Sequence, residues 1–271
     1  MRASAERYTA VAVVLHWAIA AAILFMLPLG FWMHEQIEHG NPSEGVYRAF
    51  QLHKSVGLTI LFLSLVRLGW RIANPPPALP VHMPAWERFA AKATHWAFYA
   101  LMIGLPLSGW LFVSAGWSLH EDRSLAVPTH YFGLFQVPAL FGLPQAGEAL
   151  RAAVAEASFA THATLAWSAI VLAGLHVAAA LKHHLFDKDN VLTHMIPGLR
   201  PLDGSEAPPK NPARLAVLGV GLGLAGIALA ALIFAATSYV GASAPQSAST
   251  IEITEPAAPE AAAPEAVAPE A

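Results

Sequence analysis

Cysteine occurs nowhere in the 271 residues. That absence excludes disulfides, thiolate-held iron–sulfur clusters, a cysteine nucleophile and the thioether attachment of c-type haem. Charge is scarce too: Asp, Glu, Lys and Arg together make up 12% of the chain, where an ordinary soluble domain carries about 25%. The net charge is −3, with no long basic block, so the electrostatic footprint of a nucleic-acid-binding protein is missing. Acidic residues are absent from every long apolar run. This weighs against a histidine-based metal or proton transporter, because such paths commonly need carboxylates at depth.

What remains is apolar, at 56% hydrophobic residues, and it calls for lipid as solvent. A helix needs about 20 apolar residues to cross the hydrocarbon core. Five stretches reach that length, at 9–33, 53–72, 93–115, 159–182 and 214–238. The first is too long for a signal peptide and no small-x-small cleavage site follows Met33, so it is expected to be retained. Basic residues 2, 7, 67, 71, 88, 92, 182, 188, 200, 210 and 214 fall on one side and 48, 54, 123 and 151 on the other. This bias puts the N-terminus in the cytoplasm. The proline-rich inner connection 73–92 reads as a stiff spacer, and the aromatic outer segment 116–158 as an amphipathic cap along the interface.

The fifth run has no histidine and carries the small-xxx-small pair Gly219 and Gly223, as an appended packing helix would. Residues 241–271 contain five Glu and no Lys or Arg among Ala and Pro, a composition expected to stay disordered. The expected organisation is a cytoplasmic N-terminus (1–8), a four-helix domain (9–200), a cytoplasmic linker (201–213), a fifth helix (214–238) and a periplasmic tail (239–271).

Thirteen histidines stand against fifteen Lys plus Arg. Four lie at depths where a polar group is costly and signals function: His16, His53, His162 and His176. His162 and His176 are fourteen residues apart, which on a helix brings them within about 40° of one face and about 21 Å apart along the axis. One ligand near each membrane surface is what two stacked cofactors require. Alternating helix direction sets His53 level with His162 on the outer side and His16 level with His176 on the inner side. Small residues such as Ala12, Ala20, Gly57, Ala166 and Ala173 lie about one turn from them, leaving clearance for a flat macrocycle. His95 competes for the inner iron, and otherwise fits a supporting, propionate or quinone-site role. Arg67 and Arg71 are i, i+4 neighbours at the inner level. They suit either haem propionates or the positive-inside bias, and Lys54 suits propionates outside. His183 and His184 follow α-helical sequence at the inner surface, where a wet polar end accounts for at least one of them.

The runs Arg7-Tyr8-Thr9, Leu15-His16-Trp17, Leu52-His53-Lys54-Ser55-Val56-Gly57, His95-Trp96, Gly104-Leu105-Pro106-Leu107-Ser108-Gly109-Trp110, Phe132-Gly133-Leu134-Phe135 and Gly174-Leu175-His176, with the stretch from Ala180 to Pro197, stand in this order. Over about residues 5–200 the chain resembles the bacterial dihaem cytochrome b561 family. The resemblance implies an all-α integral membrane protein, an up-down four-helix bundle holding two haems. It maps the iron ligands onto His16 with His176 and His53 with His162. Without cysteine, the haems are expected to be non-covalent, b-type groups. The implied activity is electron transfer in the bacterial inner membrane with quinone or quinol as redox partner, and superoxide as electron donor in some members. A further donor, a small molecule or a redox protein, is left unnamed, and a homodimer is left open. An anchor subunit for a hydrogenase-type or formate-dehydrogenase-type enzyme is the alternative. The fifth helix and acidic tail depart from the family pattern.

Overall fold

The computed structural model describes residues 8–40, 43–80 and 83–196. The expected fifth helix at 214–238 and the tail lie outside the described residues. Four long helices dominate: α1 (Ala10–Glu38), α2 (Glu44–Ala73), α3 (Ala85–Ala115) and α4 (Glu148–Leu185). All four are long and apolar enough to cross a membrane. The chain folds as a helical membrane bundle, as its composition requires.

Each helix starts where local chemistry allows it. Thr9 caps α1 by accepting from the Ala12 amide, and Ser43 caps α2 by accepting from the Val46 amide, each at 3.3 Å. Gly116 ends α3 in the left-handed conformation, at φ 55°. A Cβ there would come within 3.1 Å of the Arg151 guanidinium. That guanidinium satisfies the last carbonyls of α3, donating to Ala115 at 2.7 Å and also to Gly116.

Three helices begin earlier than the apolar runs suggest, α3 at Ala85 instead of 93 among them. α2 starts at Glu44, nine residues before His53, and α4 at Glu148, fourteen before His162. Their first turns are amphipathic. Val46, Ala49 and Leu52 are buried in α2 while Arg48 and Glu44 pair outside at 2.8 Å, a pattern invisible to a search for continuous hydrophobicity. The outer histidines therefore sit well inside continuous helix, not at its ends.

The outer segment between α3 and α4, the expected amphipathic cap, is built of β structure. It forms two antiparallel hairpins, β1 (Trp117–Ser118) with β2 (Arg123–Ser124) and β3 (Thr129–Tyr131) with β4 (Phe135–Val137), followed by a 3-10 segment at Leu140–Gln145. Phe132 and Gly133, both with positive φ (46° and 74°), are the central residues of a turn closed by the Leu134 amide donating to the Tyr131 carbonyl at 2.9 Å, within the three-residue loop between the paired Tyr131 and Phe135. A phenylalanine at positive φ is strained. Its ring packs against the core formed by Ile19, Met26, Leu52, Val56 and Ile60 between α1 and α2, and that burial holds the conformation.

The hairpin is pinned to α2 through Ser55, which is fully buried. Its hydroxyl lies 2.8 Å from the Gln51 carbonyl and 3.1 Å from the His130 carbonyl, and accepts from the Phe132 amide at 2.9 Å. The Gln51 side chain adds bonds to Pro128 and His130, and Thr59 meets the Tyr131 hydroxyl at 3.0 Å. Replacing Ser55 by Ala should leave the Phe132 amide without its partner, at a cost of about 1–3 kcal/mol. Thermal unfolding in detergent should shift downward, and hydrogen exchange should rise in residues 129–137; unchanged protection there would refute the pinning role.

Candidate functional site

α1 packs along α2, α2 along α3, and α3 along α4. Among the described residues α1 and α4 share no comparable seam, and meet instead through rings: Phe31 with Trp167 at 5.4 Å and His16 with His176 at 6.2 Å. His53 faces His162 at the same 6.2 Å, and both histidine pairs have interplanar angles of 62°.

That separation has a chemical meaning. An imidazole nitrogen sits about 2 Å from a metal it ligates and the ring centre roughly 1 Å behind it, so two imidazoles on opposite sides of one iron have centres about 6 Å apart. Both pairs meet this spacing, at two levels of α4 separated by fourteen residues. His95 also stands 6.1 Å from His176 at 62°, and Phe98 meets the same ring at 5.3 Å. The structure thus brings three histidines together at the inner level and two at the outer.

The outer pair has a defined orientation. His162 Nδ1 lies 2.9 Å from the Leu105 carbonyl, to which it donates, and 3.2 Å from the Ser108 hydroxyl. This fixes the tautomer and leaves Nε2 free to act as a ligand. Ser108 also donates to Leu105, at 2.8 Å. Gly109 makes room: a Cβ there would lie 3.1 Å from His162 Cε1 and 3.2 Å from Nδ1. Sequence reasoning did not single out Leu105, Ser108 or Gly109 for a role, although all three stand in the run quoted from α3. His53 Nδ1 is buried without a hydrogen-bond partner among the described residues.

The inner level is cationic. Arg67 points toward α1, donating to the Ala12 carbonyl at 2.7 Å, with its second terminal nitrogen 3.5 Å from His16 Nδ1. Arg71 lies over the rings of Trp96 and Tyr99, at 6.0 and 5.8 Å. Tyr8, just ahead of α1, has its phenol pushed up by burial against the opposing pull of Arg71 and Arg67. No carboxylate pairs with either arginine among the described residues. Lys54, on the outer side, donates to the Pro128 carbonyl at 3.2 Å.

His183 is more engaged than a wet helix end. Its Nδ1 lies 2.8 Å from Asp189 and 3.0 Å from Asp187, and its Nε2 is 3.8 Å from Glu87. Glu87, His183 and Asp187 have donor atoms close enough to hold a metal ion, but Lys182 Nζ already sits 2.8 Å from both carboxylates. The cation at this cluster is the chain's own. Nearby, Trp17 donates to the Met195 carbonyl at 2.8 Å, tying the end of the described chain to α1.

The family model for prokaryotic cytochrome b561 matches residues 7–198. The chain belongs to that family. Cytochrome b561 homolog 2 of Escherichia coli is 37% identical over 192 residues, covering 70% of this chain and 92% of that protein. A protein of Yersinia pestis named probable superoxide oxidase CybB is 27% identical over 199 residues, covering 72% of this chain and 98% of its own length. Membership implies b-type haem, an integral position in the inner membrane and electron transfer. The donor set fits such a group: neutral imidazoles in opposed pairs, no thiolate anywhere, and glycine where the His162 ring passes closest.

Gly109→Ala should therefore displace the His162 imidazole. Haem content should fall below the wild-type value while circular dichroism stays helical; full haem content with an unchanged spectrum would show that the close approach does not matter.

Proposed function

We propose that the chain is a dihaem b-type cytochrome that exchanges electrons with membrane quinone or quinol. The observation that carries this reading is the repetition of one geometry: two histidine pairs, each at 6.2 Å and 62°, at the two levels of α4. In it, His53 and His162 hold the outer iron and His16 and His176 the inner one. His95, packed against His176, serves the inner site from the side. Arg71 offers a guanidinium donor to anionic propionates at the inner level, and Lys54 an ammonium at the outer, while Arg67 is turned to the Ala12 carbonyl and His16.

Bound haem supplies one-electron chemistry by cycling its iron between ferric and ferrous states. The histidine pairs would hold the group from the protein side, and with its iron held by imidazoles the chemistry it would supply is electron transfer without bond formation to oxygen or substrate. The Leu105 carbonyl holds His162 in the ligating tautomer. Two levels about 21 Å apart divide a hydrocarbon core about 30 Å thick into shorter electron steps. A quinone accepts two electrons in two such transfers. Superoxide as donor is the finer possibility suggested by the name of the Yersinia relative. The bias of Lys and Arg supports a cytoplasmic N-terminus, with the hairpin side facing the periplasm.

The second reading is an anchor subunit that passes electrons to or from a partner enzyme; the 73 residues following the family match, 199–271, are the feature that favours it. Stoichiometric co-purification with an enzyme subunit would distinguish it from a protein that acts alone.

Purified protein should give a reduced-minus-oxidised spectrum of b-type haem at about two haems per chain. Ala at His53 or His162 should remove one spectral component, and Ala at His16 or His176 the other. A stoichiometry near one, or loss of the same component from His162 and His176 variants, would overturn the two-level assignment. Loss of the inner component in His95→Ala but not in His16→Ala would reassign that ligand.

A further inference from the structure

We propose that the Arg67 guanidinium holds the inner haem site at a higher reduction potential than the outer one, so that an electron shared between the two rests on the inner. The inference builds on the two-haem reading above and adds a role for a residue that ligates nothing. Reduction of a bis-imidazole ferric haem adds one electron and cancels one positive charge at the iron. A fixed positive charge nearby therefore favours the reduced form, more strongly the less water screens it.

The two levels differ in this respect. At the inner level Arg67 lies with one terminal nitrogen 3.5 Å from His16 Nδ1 and the other held to the Ala12 carbonyl at 2.7 Å, so the charge is fixed in place against the candidate ligand. Arg71 follows one turn later, held by Trp96 and Tyr99. The carboxylates at the inner end of the bundle, Glu87, Asp187 and Asp189, are occupied by Lys182 and His183. Among the described residues no carboxylate pairs with either arginine.

At the outer level the effect runs the other way. His162 Nδ1 donates to the Leu105 carbonyl at 2.9 Å. A ligand imidazole that gives its proton toward a carbonyl becomes a stronger electron donor, which favours the oxidised iron. Lys54, beside His53 in sequence, is turned to the Pro128 carbonyl. Propionates accompany every haem and add the same charge to each level, so they do not create the difference.

The test is a potentiometric titration of the purified holoprotein followed by visible and EPR spectra. The wild type should titrate in two steps, and His162→Ala, retaining only the inner haem, should titrate at the upper one. In Arg67→Gln the upper step should move down toward the lower one while the lower stays in place, with haem content unchanged; Arg67→Lys, which keeps the charge, should retain most of the separation. Arg67→Met replaces the Gln variant if that loads haem poorly. The proposal is overturned if the neutral variants leave both steps where they were or move only the lower one. It is equally overturned if every neutral variant loses the inner haem while Arg67→Lys keeps it, which would make the residue an anchor. A wild-type content other than about two haems defeats the two-haem reading itself and is seen before any variant is titrated.

Discussion

Everything in this bundle depends on keeping opposed imidazoles about 6 Å apart. Apolar helices left to themselves close until their side chains interlock, and closure along α1 and α4 would bring His16 against His176 with no room for the macrocycle proposed between them. The architecture prevents this by building its seams elsewhere. α1 is packed on α2, α2 on α3 and α3 on α4, so the two outermost helices of the series face each other across a gap that the histidines span. The core of Ile19, Met26, Leu52, Val56 and Ile60 belongs to the α1–α2 seam. It stiffens one wall of the gap without filling it.

The same requirement explains why polar atoms are tolerated in an apolar setting. Each buried hydrogen bond near a histidine sets the position of a wall or of a ring. Leu105 and Ser108 hold His162, and Gly109 lets α3 approach that ring closely enough for the carbonyl to reach it. Arg67 bonds α1 across from α2 beside His16. Ser55 anchors the second outer hairpin on α2 two residues beyond His53, and that hairpin places the Phe132 ring on the core. The strained turn at Phe132 is offset by the burial it achieves.

Much of the architecture was legible because membrane helices leave few choices. Long apolar runs must be helices, since lipid satisfies no backbone group, and four of the runs correspond to α1 through α4. The levels of the histidines followed from helical rise. Helix starts were less legible: the first turns of α2, α3 and α4 lie beyond the apolar runs, where amphipathic burial decides, and the caps of α2 and α4 at Ser43 and Gly147 lack a hydrophobic signature. The composition of the outer segment suits an interfacial cap, and its hairpin form arises because Phe132-Gly133 supplies a tight turn and Ser55 and Gln51 supply partners from a distant helix. No local pattern contains both halves of that arrangement.

The sequence by itself determined that this chain is a helical membrane protein without thiolate chemistry, with histidines at two depths, in the cytochrome b561 family. Those conclusions need only composition, a helical repeat and motif order. The tertiary structure alone decided that His176 faces His95 as closely as His16, that Arg67 turns inward to Ala12 and His16, and that a backbone carbonyl of α3 holds His162. Helical periodicity gives a residue's height and its angle about one axis. It carries no information on how far apart two helices stand or how each is rotated toward its neighbour, and those quantities set which imidazoles meet and which charge lies beside them.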